Sequence, residues 1–225
     1  MLPSDLRPGT ADALLFDLGR VVIDIDFVQV VSRWAAHASC APEHLAARFV
    51  RDEIYHGHER GTVSDAAFFA HLRAQLGIDI SDAQFLEGWN AIFVGPMPGI
   101  APLLARAAEN VPLYAFSNTN QPHIAHFSPV YAELLGHFRE IFLSSSIGLR
   151  KPNAEAYDHV VQAIGVPAER IVFFDDLAGD VADVLEADAG VVRTLRSRIA
   201  FRREAERSAI LVEEILLLEA EPSTF

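Results

Sequence analysis

Apolar residues along the chain fall into two regimes. Short continuous runs at residues 13–16, 112–116, 141–143, 171–174 and 191–195 have the length and density of strands buried on both faces. Beside them, over residues 102–110, 153–164 and 180–189, apolar positions recur at helical spacing. The last two of these segments stop at Gly165 and Gly190, residues suited to the left-handed turn that ends a helix. Strands alternating with helices predict an α/β fold, a doubly wound parallel five-stranded sheet.

The first two runs lie far apart, and the intervening stretch reads as helix. Residues 28–38 and 42–54 carry apolar residues at helical spacing, with Leu45, Phe49 and Ile54 near one face. Two more helices open on Ser64-Asp65-Ala66-Ala67-Phe68 and Ser81-Asp82-Ala83-Gln84-Phe85. Each Ser can cap backbone N–H groups and each Asp suits the positive helix end. Only the second has Gln at the capping-box position. These patterns predict a core domain of residues 1–25 and 96–225 and an inserted α-helical cap domain of residues 26–95. Gly95-Pro96-Met97-Pro98-Gly99 forms the return hinge. Residues 199–219 read as a charged helix with an apolar stripe (Ile210, Leu211, Ile215, Leu218), suited to docking on the core or to a dimer contact. The oligomeric state itself is not written in these patterns.

Composition narrows the function. Acidic residues outnumber basic ones, 31 against 18. Binding along a nucleic acid needs the opposite balance, so no nucleic-acid partner is expected. No apolar run reaches the length of a bilayer span and none resembles a secretory signal, so no membrane partner is expected. The single cysteine, Cys40, excludes an internal disulfide and fits a reducing cytoplasm.

Four of the apolar runs lead into distinctive polar groups: Asp17-Leu18-Gly19-Arg20, Ser117-Asn118-Thr119-Asn120, Arg150-Lys151-Pro152 and Asp175-Asp176. Ligands of open parallel sheets bind beyond the carboxyl ends of the strands. Asp17 with Asp175-Asp176 would gather carboxylates that repel unless a cation sits between them. Few oxygen ligands plus a substrate phosphate suit Mg²⁺. Lys151 supplies a positive point charge, and Ser117 with the following N–H groups can bind phosphoryl oxygens. The group reads as a phosphoryl-transfer site for a small phosphorylated substrate, with an aspartate able to attack phosphorus.

These four motifs, in this order, resemble the haloacid dehalogenase superfamily, in the subclass with a helical cap after the first strand. Residues 16–27, with His58-Glu59-Arg60-Gly61 and Gly88-Trp89-Asn90-Ala91, are similar to the bacterial α-D-glucose-1-phosphate phosphatases. The resemblance implies an Mg²⁺-dependent phosphatase in which Asp17 is nucleophile and metal ligand. It implies that the Gly19 carbonyl and Asp176 complete the protein's share of the metal shell. Asp175 and Asp180 are expected nearby, the latter orienting Lys151, with Ser117 and Asn118 on the phosphate. The superfamily's usual second Asp, two residues after the nucleophile, is here Gly19, so the proton shuttle is missing. An anomeric sugar oxygen, which leaves readily as an anion, would tolerate that loss.

Other residues carry open readings. Asp24 and Asp26 cap the first cap helix, line its hinge, or, for Asp24, stand in as proton donor. Residues 55–60 read as a polar turn in which His56 and Arg60 touch substrate or stay solvated. His56 and His58 have metal-pair spacing without a visible third ligand. Trp34, Trp89 and Phe93 read as cap core. Arg20 contacts substrate or pairs with acids. Rival functions are a metal-independent 2-haloacid dehalogenase, a phosphosugar mutase and an inert binding protein. The paired acids argue against the dehalogenase, the missing second Asp against the mutase, and the intact motif charges against an inert protein.

Overall fold

The computed structural model describes residues 11–176 and 200–201. Strand β1 (Ala13–Phe16) leads into a short β2 (Ile23–Ile25). Helices α1 (Phe27–Ala38), α2 (Pro42–Ala46), α3 (Glu53–Glu59), α4 (Asp65–Leu76) and α5 (Asp82–Asn90) follow, and β3 (Phe93–Pro96) returns the chain. Then come α6 (Ile100–Ala108), β4 (Leu113–Ser117), α7 (Gln121–Val130), α8 (Ala132–Leu135), β5 (Glu140–Leu143), α9 (Ser144–Ile147), α10 (Ala154–Ile164), β6 (Ile171–Asp175) and β7 (Ala200–Phe201).

The main sheet has the order β5-β4-β1-β6-β7, and every pairing in it is parallel. Strand side chains alternate between faces, and the two faces have separate cores. Leu14, Phe16, Leu113, Ala115, Val172 and Phe174 pack with α6, α7 and α8. Ala13, Leu15, Tyr114, Phe116, Ile171 and Phe173 pack with α10. Burial on both faces is why these strands read as unbroken apolar runs rather than alternating ones.

Five helices between β2 and β3 enclose a third core. Its centre is aromatic: Trp34, Phe68, Phe85 and Trp89 are fully buried. Trp34 Nε1 donates to the Phe85 carbonyl at 2.9 Å. Gly88 lets α5 lie directly on the Trp34 indole, because a Cβ there would sit 2.2 Å from Trp34 Cδ1. Ser64 caps α4, and Ser81 with Gln84 forms the capping box on α5. The antiparallel β2–β3 ribbon joins this cap to the sheet, with Asp24 opposite Gly95. Asp26 accepts from Val28 N at 2.9 Å and so caps α1.

Several expectations need correction. The single helix over 42–54 is two helices, because Asp52 accepts from Tyr55 N at 3.0 Å and starts α3 afresh. The supposed turn at 55–60 is that helix, and its His58 and Glu59 are buried. Ala200–Phe201 pairs with Phe174–Asp175 as the fifth strand, so the helix expected from residue 199 does not begin there. The runs at 180–189 and 191–195, and the rest of 199–219, lie outside the described residues. Among the described residues no helix is long and apolar enough to cross a membrane.

Candidate active site

Strand β1 lies between β4 and β6, so the sheet's connections diverge on either side of it. That switch point opens a crevice at the carboxyl ends of the strands. Asp17 stands there, its N–H donating to the Phe174 carbonyl at 2.8 Å. Asp17, Asp175 and Asp176 each offer an oxygen, and these oxygens all lie within 4.8 Å of one another. Lys151 Nζ sits 3.1 Å from Asp17 Oδ1 and 2.6 Å from Asp175 Oδ2. Its side chain is only 2% exposed, bounded by the Phe116 and Phe173 rings. The Arg20 guanidinium is 4.0 Å from Asp176 Oδ2.

Three buried or half-buried carboxylates around one ammonium leave the cluster short of positive charge. Burial pushes the Asp17 carboxyl up to about 7; Asp175 and Asp176 add to the rise and Lys151 opposes it. Burial, then the Asp175 charge, raises Asp176 as well. Burial alone would lower the Lys151 ammonium, but Asp17 and Asp175 together hold it above the usual lysine range. An all-oxygen donor set with excess negative charge fits a hard divalent cation. Gly19 lines the same cavity.

The loop carrying Lys151 is held by Asn118. Asn118 Oδ1 accepts from Lys151 N and Asn118 Nδ2 donates to the Lys151 carbonyl, both at 2.9 Å. The Asn118 side chain, on a residue expected to bind phosphate, is thus engaged with the Lys151 backbone. Ser117, buried at the end of β4, lines the cavity with Asn118, Thr119 and Asn120. Ser144 Oγ accepts from Thr119 N at 2.8 Å and donates to Thr119 O at 3.0 Å, fixing this turn.

Opposite the carboxylates, the cap closes a cavity of about 310 Å³. Arg51, Tyr55 and Glu59 line its polar wall, joined by Arg150, whose Nε donates to Glu59 Oε2 at 2.9 Å. Ile25, Phe27, Ile92, Phe93 and Phe127 line an apolar wall. His56 and Arg60 are not among the lining residues; both turn toward Glu53. His58 Nε2 is 2.8 Å from Asp65 Oδ1 and its ring stacks on Phe68, so it faces the cap core and not a metal shared with His56. Asp24 does not line the cavity, whereas Phe93 does, alongside its packing on the core. Asp180 lies outside the described residues. Tyr55 and Glu59 stand four apart on one face of α3, a helical signal hidden by reading residues 55–60 as a turn, and Arg51 lies just before that helix.

A family model for haloacid dehalogenase-like hydrolases matches residues 11–182. The chain belongs to this family. Among curated relatives of this haloacid dehalogenase-like hydrolase, sesquiterpene phosphatase astK of Aspergillus oryzae is 26% identical over 128 residues, 56% of this chain and 65% of that protein. Drimenol cyclase drtB of Aspergillus calidoustus is 26% identical over 180 residues, 73% of this chain and 30% of that one. The chain therefore spans less than two thirds of the length of these curated relatives. Among solved structures, HAD family enzyme BT-2542 of Bacteroides thetaiotaomicron, a magnesium complex, matches with TM-score 0.70 and 24% identity over 86% of this chain and 93% of that one. A HAD-like family hydrolase of Porphyromonas gingivalis matches with TM-score 0.72 and 19% identity over 90% and 97% of the two chains. These structural likenesses establish the fold of this hydrolase.

Proposed function

We propose that this hydrolase is an Mg²⁺-dependent phosphatase of small phosphorylated metabolites, foremost a sugar phosphate such as glucose 1-phosphate, acting through an aspartyl phosphate on Asp17. The observation that carries the reading is the cluster of Asp17, Asp175 and Asp176 oxygens around buried Lys151. Asp17, Asp176 and the Gly19 carbonyl would hold the cation. Bound there, Mg²⁺ would neutralise the cluster and draw charge from a phosphoryl oxygen.

The chain's own residues do the rest. Lys151 holds the Asp17 carboxylate through Oδ1 and adds positive charge where phosphoryl oxygens gather. Ser117 and the N–H groups of the following turn bind the remaining phosphoryl oxygens. An Asp17 carboxylate oxygen attacks phosphorus; a new O–P bond forms as the bond to the leaving oxygen breaks. Water then cleaves the acyl phosphate and releases inorganic phosphate. Gly19 offers the leaving oxygen no proton, and a Cβ there would lie 2.9 Å from Ile25 Cδ1 and 3.9 Å from Asp17 Oδ2. General acid help is typically worth about a hundredfold to ten-thousandfold, so leaving groups that depart as anions are favoured.

Support for phosphorus as the electrophile comes from the sesquiterpene phosphatase relative and from the BT-2542 complex with magnesium and inorganic phosphate. The mixed cavity wall suits a sugar: Arg51, Glu59 and Arg150 for hydroxyls, Phe93 and Ile25 for a ring face. A phosphate-release screen over sugar and terpenyl phosphates, with and without Mg²⁺, tests the reading. Release from glucose 1-phosphate well above glucose 6-phosphate, lost on chelation, is expected. Metal-independent halide release from a 2-haloacid would replace this reading with a dehalogenase.

A further inference from the structure

Among the described residues, three contacts between cap and core land beside groups of the phosphate site. Glu59 accepts from Arg150, the residue before Lys151. Gly61, at φ +71°, lies against the Ser145 backbone, where a Cβ would be 2.5 Å from the carbonyl oxygen. Ser145 follows Ser144, whose hydroxyl fixes Thr119 of the phosphate turn. Trp89 Nε1, at the end of α5, donates to Asn120 Oδ1 at 3.3 Å, two residues from Asn118.

The third contact is a closed ring of bonds. Asn120 Oδ1 also accepts from His123 N at 3.1 Å, which caps α7. Asn120 Nδ2 lies 3.2 Å from His123 Nδ1, and His123 Nε2 lies 3.2 Å from the Trp89 carbonyl. An amide nitrogen only donates and a carbonyl only accepts, so these partners assign the ring proton to Nε2. The His123 ring also stacks on Trp89, centroids 4.6 Å apart. Burial lowers the His123 pKa to about 3, so the ring stays neutral and both nitrogens keep these roles.

We infer that Trp89, Asn120 and His123 are positioning residues that lock the cap onto the phosphate turn, so that seating the cap and ordering the phosphate-binding groups are one event. This rests on the phosphatase reading above. Cap residues then govern affinity for a ligand as small as inorganic phosphate, not only the choice of leaving group. Binding energy from the leaving group, felt through the cap, tightens the hold on the phosphoryl group.

Calorimetric titration of the Mg²⁺-loaded full chain with inorganic phosphate tests this. Trp89→Phe keeps an aromatic ring at the buried position and deletes the indole N–H; His123→Phe keeps a ring for the stack and deletes both nitrogens. Leu72→Ala loosens the cap core at a fully buried position outside these contacts. Phosphate Kd should rise about threefold to tenfold in each latch variant, the scale of a lost hydrogen bond. In Leu72→Ala it should stay at the wild-type value while the melting temperature drops. An unchanged Kd in Trp89→Phe and His123→Phe, with wild type binding phosphate, overturns the inference alone. An equal weakening in Leu72→Ala also overturns it, since general softening would then suffice. If the wild type neither binds nor releases phosphate, the phosphatase reading fails and takes the inference with it.

Discussion

The carboxylate site and the cap wall face each other across one cavity, yet they are built by opposite means. Asp17, Ser117 and Asp175 end or directly follow strands of one parallel sheet, which delivers them to a common edge. The sheet sets their mutual placement, and the cap reaches only the turns that follow, through Trp89 on Asn120 and Glu59 on Arg150. Arg51, Tyr55 and Glu59 sit on and just before a short helix of another layer, and reach the cavity only because that layer docks as it does. Chemistry rests on rigid strand ends, and selection rests on a docked and separately packed body.

The largest effect should come from the core. Asp17→Asn removes the nucleophile and should lower phosphate release about a thousandfold or more on every substrate. If the loss depended on the leaving group, the division between chemistry and selection would collapse. Lys151→Met should also abolish activity, and should cost about 3–5 kcal/mol of stability by leaving Asp17 and Asp175 buried without their cation. Urea unfolding of the metal-free protein measures this.

A third prediction concerns the joint between the two bodies. Unfolded His123 takes up a proton near pH 6.5, whereas the folded protein refuses it until about pH 3. Between those values the unfolded chain binds more protons, so this contribution to stability is full above 6.5 and shrinks as pH falls toward 3. From pH 6.5 to 5 the loss amounts to about 2 kcal/mol. Wild type should lose that much more stability than His123→Phe over this range; parallel curves would mean that the ring is not held neutral. The smallest effect should come from the cap wall. Arg51→Ala should reduce kcat/KM on a sugar phosphate about tenfold while sparing acetyl phosphate, which offers the cap little to grip. Equal losses on both would show that Arg51 serves the chemistry.

Legibility in the sequence follows the same division. Strands buried on both faces announce themselves as apolar runs, and Asp17, Ser117 and Asp175 were readable because they stand where those runs stop. The cap helices opening at Ser64 and Ser81 were readable because capping is local chemistry between residues three apart. Helix α3 opens on the same local signal, Asp52 accepting from Tyr55 N, but apolar spacing running from 42 to 54 masked it, and the Asp52 contact with His71 of α4 at 2.6 Å is tertiary. Missing that start made residues 55–60 look like a turn and drew attention to His56 and Arg60 in place of Tyr55 and Glu59.

By itself the sequence determined the parallel sheet, the helical insertion and the set of charges at the strand ends, since each depends on periodicity or on near neighbours along the chain. Tertiary structure alone decided which acids hold Lys151, that the Asn118 side chain grips a backbone, which face of α3 meets the cavity, and that Trp89 reaches Asn120. Those contacts join residues far apart in the chain, and their partners are chosen by how packed layers meet, a choice that no local pattern records.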